Sequence, residues 1–346
     1  MKETSFFINF FSCLIAALVL PGCNSENLSA KLEQKSMASE KKTPQITLKA
    51  LAPSYESGKY SFDGIALLDN GDIWAVGYDG VNPRRVRYST DGGKTWNITT
   101  FSSEFNMLNA ILFADDLHGW ASGIGDIFRT SNGGKSWEKT DLKRYLDFTM
   151  LSFYNREIGY FTGKLNIQEE EASEIWKTVD GGETWKKSYV SKKWQNPFAI
   201  LAVSETVALA VLDENNLIRT TDGGGTWHVI ESFDYSTDQL YKDKNGRIWA
   251  VGRNGNFFYS IDEGTTWNRP ENFPDVLKYS SWNSIGFADR QTGVAVGDKG
   301  SIALTQDGGT SWRLIESKTN ENFSRIYLNQ NMGLIVGSDN LYKFEL

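Results

Sequence analysis

The chain has 346 residues, a net charge of −7 from 36 Lys and Arg against 43 Asp and Glu, and only 2 Cys and 2 His. So acidic a chain lacks the basic face that phosphate backbones require, which argues against a nucleic-acid partner. His118 and His228 have no ligand neighbours at useful spacing, and no glycine-rich phosphate loop opens a helix, so neither a metal nor a cofactor is expected.

In chain order, the first signal runs from Phe6 to Leu20, apolar but for Asn9 and Ser12, and ends in Leu20-Pro21-Gly22-Cys23. The run is too short to span a bilayer comfortably. A Leu three before the Cys and a small residue just before it resemble the lipobox of bacterial lipoproteins. That resemblance implies cleavage ahead of Cys23 and its lipidation: residues 1–22 as a signal peptide, and a mature protein anchored in the bacterial cell envelope on the periplasmic, lumenal or outer side of a membrane. Residues 23–44, rich in Ser, Lys, Glu and Asn, read as a flexible tether with a reach of roughly 25 Å. Cys13 falls in the removed segment, so no disulfide is expected.

From about residue 45 onward the chain is repetitive. Ser/Thr-x-Asp/Asn-x-Gly-x-Ser/Thr-Trp occurs six times, starting at Ser89, Thr130, Thr178, Thr220, Ser260 and Thr305, 40 to 48 residues apart. Between copies lie short runs of β-branched and aromatic residues broken by Gly, Asn and Asp, without helical periodicity, so each unit reads as a four-stranded antiparallel meander. That period and that content predict an all-β propeller. Each phrase is a hairpin turn joining a unit's third strand to its fourth. Its acidic or amide residue (Asp91, Asn132, Asp180, Asp222, Asp262, Asp307) accepts backbone N–H bonds, its Gly supplies positive φ, and its Trp (Trp96, Trp137, Trp185, Trp227, Trp267, Trp312) buries apolar area.

A second repeat counts the units independently. Second strands read Trp74–Gly77, Trp120–Gly123, Tyr160–Gly163, Leu209–Leu212, Trp249–Gly252, Val294–Gly297 and Leu334–Gly337, which makes seven. The seventh unit has room for three strands before Leu346. The alternating segment Gln45–Leu51 is expected to supply its outer strand and close a seven-bladed ring spanning residues 45–346.

Binding candidates are few. Arg84, Arg85 and Arg87 cluster beside a second-to-third-strand loop and read as a solvated edge or a docking patch. Glu169, Glu170, Glu171 and Glu174, in and just after an insertion in the equivalent loop of unit three, read as solvated, with calcium or partner binding as alternatives. Aromatics recur near the first strand at Phe105, Tyr145, Trp194, Tyr235, Trp282 and Phe323, to be packed between blades or to form a rim for peptide or glycan. Trp194 has the most polar neighbours and Trp282 is carried with it as a partner-binding candidate.

The eight-residue phrase resembles the Asp box of sialidases and other glycoside hydrolases. That resemblance implies three arginines on a substrate carboxylate, a Tyr/Glu pair, an Asp acid/base and an early Tyr/Phe-Arg-Ile-Pro segment. The early arginine stretch here is Asn82-Pro83-Arg84-Arg85-Val86-Arg87, and most of the aspartates that can be placed, Asp91, Asp180, Asp222 and Asp307 among them, are turn residues. A surface hydrolase or glycan-binding propeller is therefore the alternative. As a whole, His118-Gly119-Trp120-Ala121-Ser122-Gly123 followed by Thr130–Trp137, and Gly293–Gly297 followed by Thr305–Trp312, are similar to repeats of the photosystem II stability/assembly factor family. The likeness runs from about residue 60 to the C-terminus. It implies a seven-bladed propeller without enzymatic activity that binds newly made membrane subunits, lipid-anchored in its cyanobacterial form.

Overall fold

Each turn signal closes a hairpin where the sequence places it. The computed structural model describes residues 46–51, 61–78, 85–100, 108–140, 142, 147–164, 173–191, 197–212, 216–232 and 236–346. After β1 (Lys49–Leu51) come blade 1, β2 (Ser61–Leu67), β3 (Ile73–Tyr78), β4 (Arg85–Ser89) and β5 (Asn97–Thr100), and blade 2, β6 (Leu108–Phe113), β7 (Gly119–Gly123), β8 (Asp126–Thr130) and β9 (Glu138–Thr140). Blade 3 is β10 (Asp147–Phe153), β11 (Gly159–Lys164), β12 (Ser173–Thr178) and β13 (Lys186–Val190); blade 4 is β14 (Pro197–Ala202), β15 (Ala208–Leu212), β16 (Asn216–Thr220) and β17 (His228–Ser232). Blade 5 is β18 (Thr237–Lys242), β19 (Ile248–Gly252) and β20 (Phe257–Ser260); blade 6 is β21 (Trp282–Phe287), β22 (Gly293–Gly297), β23 (Ile302–Thr305) and β24 (Arg313–Ile315). Blade 7 is β25 (Phe323–Leu328), β26 (Met332–Gly337) and β27 (Leu341–Glu345), completed by β1 against β27 in the register Lys49↔Lys343, Ala50↔Tyr342, Leu51↔Leu341.

The protein is thus a seven-bladed propeller whose last blade is shared by both ends of the chain, as the count of second strands requires. Among the described residues of the expected edge segment, 46–51, only Lys49–Leu51 pairs as strand. Blade 5 departs from the four-strand pattern. After its Asp box a single bridge, Tyr259↔Asn268, replaces the outer strand, because Pro270 offers no N–H to continue a ladder.

Second strands are buried on both faces between neighbouring blades, with every residue of β7, β15, β19 and β22 inside. First strands line the centre and have one edge without a strand partner. In four blades N–H groups on that edge are taken by side chains of the preceding blade. Ser152 Oγ accepts from Ala202 N–H (2.9 Å), Gln239 Oε1 from Ile285 N–H (2.7 Å), Ser284 Oγ from Ile326 N–H (3.1 Å), and Tyr327 Oη from Ile65 N–H across the ring closure (3.3 Å).

The Asp boxes join blades as well as strands. In blade 1, Ser89 Oγ donates to Asp91 Oδ1 (2.8 Å) and accepts from Gly93 N–H (2.8 Å), while Asp91 takes the N–H (2.9 Å) and hydroxyl (2.6 Å) of Thr95. The box Gly then meets the second strand of the preceding blade. A Cβ on Gly134 would overlap the Trp74 ring, one on Gly309 the Trp249 ring, and one on Gly264 would come within 2.6 Å of Leu209. Third-strand cations reach the same boxes: Arg129 Nη1 meets Glu183 at 3.0 Å, Arg219 Nε donates to Glu263 O at 3.0 Å, and Lys343 Nζ to Gly92 O at 3.1 Å.

Gly134→Ala is therefore expected to cost about 3 kcal/mol, combining left-handed strain at φ 77° with displacement of Trp74. Gly71→Ala, at φ 90° with open space around it, is expected to cost only about 1 kcal/mol. Urea unfolding of the two variants measures the difference, and equal losses would mean that the boxes do not lock neighbouring blades.

Candidate functional site

Every first strand carries a register shift at the same place. The residues left out of the ladder are Asp63, Asn109, Thr149, Phe198, Asp238, Asn283 and Ser324, one per blade. A bulge bends its strand and re-aims one side chain. Here seven bulges make a ring of positions near one end of the central channel, six of them polar. The second-to-third-strand and blade-to-blade connections lie at this end, the loop face; the Asp boxes and first-to-second-strand turns lie at the other.

The channel encloses about 470 Å³, lined from the first strands by Asp63, Asn109, Met150, Ile200, Gln239 and Arg325 among others. Burial pushes the Asp63 carboxyl above the usual range. Toward blades 5 to 7 the loop face gathers charge of both signs. Asp238 stands 3.9 Å from Arg253 Nε, and Asn283 Nδ2 donates to Asp298 Oδ1 (2.8 Å) and Phe323 O (2.9 Å). Burial raises the Asp238 carboxyl, Arg253 and Arg325 oppose the rise, and Asp298 adds to it. Arg325 Nη1 donates to its neighbour's carbonyl, Ser324 O, at 2.9 Å, leaving most of its fork for the channel. Backbone strain marks the same quarter: Asn254 (φ 54°), Lys299 (φ 55°) and Lys318 (φ 60°) are left-handed without being glycine.

The sequence-based binding candidates fare unevenly. Arg87 is only 6% exposed, opposite Ala75 and Ile98 in the blade 1 sheet, so it is no docking patch; strand alternation turns it inward. Arg85 opens β4, and Arg84 lies outside the described residues. Trp282 is fully buried at the start of β21, its Nε1 donating to Leu277 O (3.1 Å) and its ring edge-on to Phe257, which removes it as a rim residue. Phe323 is likewise in the core. Phe105, Tyr145, Trp194, Tyr235, Glu169–Glu171 and Cys23 lie outside the described residues.

Glu174 is not solvated. Buried in β12, it accepts from Trp176 Nε1 (2.8 Å) and meets Lys187 Nζ at 3.4 Å. Asp126 and Lys139 make the equivalent pair in blade 2. His118 Nδ1 lies 2.9 Å from the Asp115 carboxylate in a box-face turn. Among the described residues no group of three or more His, Cys, Asp and Glu could hold a metal ion, and no helix is long and apolar enough to cross a membrane. The bulge ring escaped the sequence reading, although its trace is present: a residue that packs, then a polar one, then usually a small one, as in Phe62-Asp63-Gly64, Leu108-Asn109-Ala110 and Trp282-Asn283-Ser284.

Comparison with known proteins places this ring in a family. Residues 100–272 match the family model described as photosynthesis system II assembly factor YCF48, and residues 87–97 match the BNR/Asp-box repeat. A photosystem II assembly lipoprotein Ycf48 from Picosynechococcus sp. is 26% identical over 73% of this chain and 88% of its own length. The protein of the same name from Synechococcus sp. is 24% identical over 56% of this chain, which spans only 57% of that relative. A solved structure titled YCF48 bound to D1 peptide superposes with a TM-score of 0.63 at 18% identity, covering 86% of this chain and 98% of that one. With half its length inside the family model, the chain belongs to the photosynthesis system II assembly factor YCF48 family.

Proposed function

We propose that this protein is a non-catalytic scaffold that holds a segment of a protein partner on its loop face while a membrane protein complex is assembled. The observation that carries this reading is the family match, which joins the chain to relatives named as photosystem II assembly lipoproteins; a structural neighbour titled YCF48 is solved with a bound peptide. The geometry is consistent with it. A ring of blades presents a polar channel mouth where Asn283 holds Asp298 and Arg253 lies 3.9 Å from Asp238, an arrangement suited to hydrogen-bonding an extended chain rather than to splitting a bond. The lipobox at Cys23 and the tether of residues 23–44 would keep the ring at a membrane surface, where such a partner is inserted.

The test is recovery of assembly intermediates with the tagged full-length chain from detergent-solubilised membranes of its host. Changing Arg253 and Arg325 together to Glu is expected to reduce recovery at least ten-fold. Arg156→Glu, at an exposed box-face turn, is expected to leave it unchanged. Equal recovery with all three chains would overturn the loop-face reading, and turnover of a sialoside or polysaccharide would overturn the non-catalytic one.

A further inference from the structure

Among the described residues blade 5 alone has no outer strand, and the segment that replaces it is firmly built. Beyond the Tyr259↔Asn268 bridge, Arg269 Nη1 donates to Gly255 O at 2.7 Å, and Asn272 bridges to Ser311 in the box of blade 6. Phe273, at 6% exposure, packs on Phe257 with ring centroids 4.6 Å apart, and Leu277 is fully buried in the same cluster as Trp249 and Ile285. Trp282 Nε1 ties the Leu277 carbonyl.

The far end of this segment is fastened to the blade 5 hairpin. Gly255 N–H donates to Ser280 O at 2.8 Å, and at φ 72° it lies so close that a Cβ would overlap the Lys278 backbone. Lys278 Nζ closes onto Asp275 at 2.7 Å. From this anchored 3-10 turn, Asp275–Tyr279, the Tyr279 side chain stands 86% exposed, more than any other exposed large hydrophobic residue described, the next being Ile261 at 73%.

Folding gains almost nothing from a tyrosine left in water, and the chain gives up an outer strand to hold it. An aromatic on a rigid backbone, with two side-chain torsions to fix, is the economical anchor of an interface, because little freedom remains to be lost on binding. Arg253, on the hairpin bonded to this segment, has a side chain 70% exposed and only a 3.9 Å contact with Asp238. The geometry points to Tyr279 as an anchor residue for an extended segment of a partner protein, receiving an apolar side chain of that segment, with Arg253 placed for a neighbouring carboxylate. This rests on the loop-face docking reading above and names the residues by which it takes hold.

Photocrosslinking in the host tests it, with the full chain carrying p-benzoylphenylalanine at position 279, at 318 elsewhere on the loop face, or at 154 on the box face. The expected result is a crosslink from position 279 to one segment of one partner and none from position 154. A synthetic peptide of that segment should then bind Tyr279→Ala roughly 10- to 30-fold more weakly than the parent chain, and Tyr279→Phe within about three-fold. Crosslinking from 318 but not from 279, or equal peptide affinity of Tyr279→Ala and parent, removes Tyr279 as the anchor and leaves loop-face docking standing. Crosslinking from neither loop-face position, or only from 154, overturns both.

Discussion

Leu51→Asp is expected to destabilise the protein by about 4 kcal/mol or more and to lower Tm by roughly 10 °C. The strand concerned has three residues, and only Leu51 of them is buried. It packs with Ile65, Ile73, Leu334 and Leu341, and its Cδ1 sits 2.7 Å from where a Cβ on Gly93 would be. One side chain therefore seals the outer strand of blade 7 and props the Asp box of blade 1. A carboxylate there finds no partner, and displacing β1 bares the edge of β27 and loosens the seam that Lys343 and Tyr327 bridge. Leu51→Ala, which leaves a cavity and no charge, should cost about 2–3 kcal/mol.

Lys49→Asp in the same strand is the control. Lys49 is exposed and faces Lys343 directly, so the change replaces two like charges by an opposite pair and should be neutral or stabilising by a few tenths of a kcal/mol. Urea titration with thermal melts separates the cases. If Leu51→Asp and Lys49→Asp unfold alike, β1 is not what closes the ring.

The ring could be read from the sequence because its instructions are local. A box phrase specifies its own hairpin: hydroxyl, carboxylate and glycine all lie within eight residues, so a period of boxes counted against a period of second strands gives both blade number and the place where the ring is cut. The phrase also holds a glycine that the hairpin reading undervalued. Its fourth position is Gly in five boxes and Glu263 in the remaining one, left-handed in every case, and in four boxes its N–H reaches back to the first-to-second-strand turn, as Gly133 does to Leu117 O at 2.9 Å.

The site was harder to read because it is made by closure. Whether Arg87 faces water depends on the register of β4 in its sheet, and whether Trp282 does depends on the Asp275–Tyr279 turn and Phe257 that fold against it. Glu174 looked like part of an acidic loop because three glutamates precede it; the register Glu174↔Gly163 carries it into a sheet whose outer strand supplies Lys187. The bulges are legible only once seven first strands are aligned, since a single Asp or Asn near a strand start carries no signal of its own. Tyr279 was invisible for the opposite reason: the Asp box ahead of it promised an outer strand, and Pro270 and Pro274 withdrew it.

Acid should unfold this protein through its boxes. Hydrogen bonds from the Thr95 hydroxyl and N–H, with Ser89, hold the Asp91 carboxyl far below the usual range, and the Thr226 N–H and hydroxyl do the same for Asp222. Burial pushes Asp262 up, but the bonds from Thr266 and Ser260 outweigh it and hold the group at about 2. Asp180 and Asp307 are lowered in the same way against the same opposition. A carboxyl held below its unfolded value contributes stability that is complete above the unfolded value, about pH 4, and is lost as pH falls through the folded one. Between about pH 4 and about pH 2 the unfolded chain accordingly binds more protons than the folded one, and Tm should fall steeply there. Asp63 and Asp238, whose carboxyls are raised, act oppositely at higher pH: protonation in the folded state adds stability as pH drops through their folded values, which should level the curve before the fall. Asn132 supplies the internal standard. Its amide donates to Ser136 Oγ at 2.8 Å where an aspartate would accept, so the blade 2 box does not titrate. Asn132→Asp should steepen the acid limb and Asp262→Asn should flatten it, each by about one proton's worth of slope. Melts from pH 7 to pH 2 read this directly, and an Asp262→Asn limb that superimposes on the parent's would mean that the box carboxylates do not govern acid unfolding.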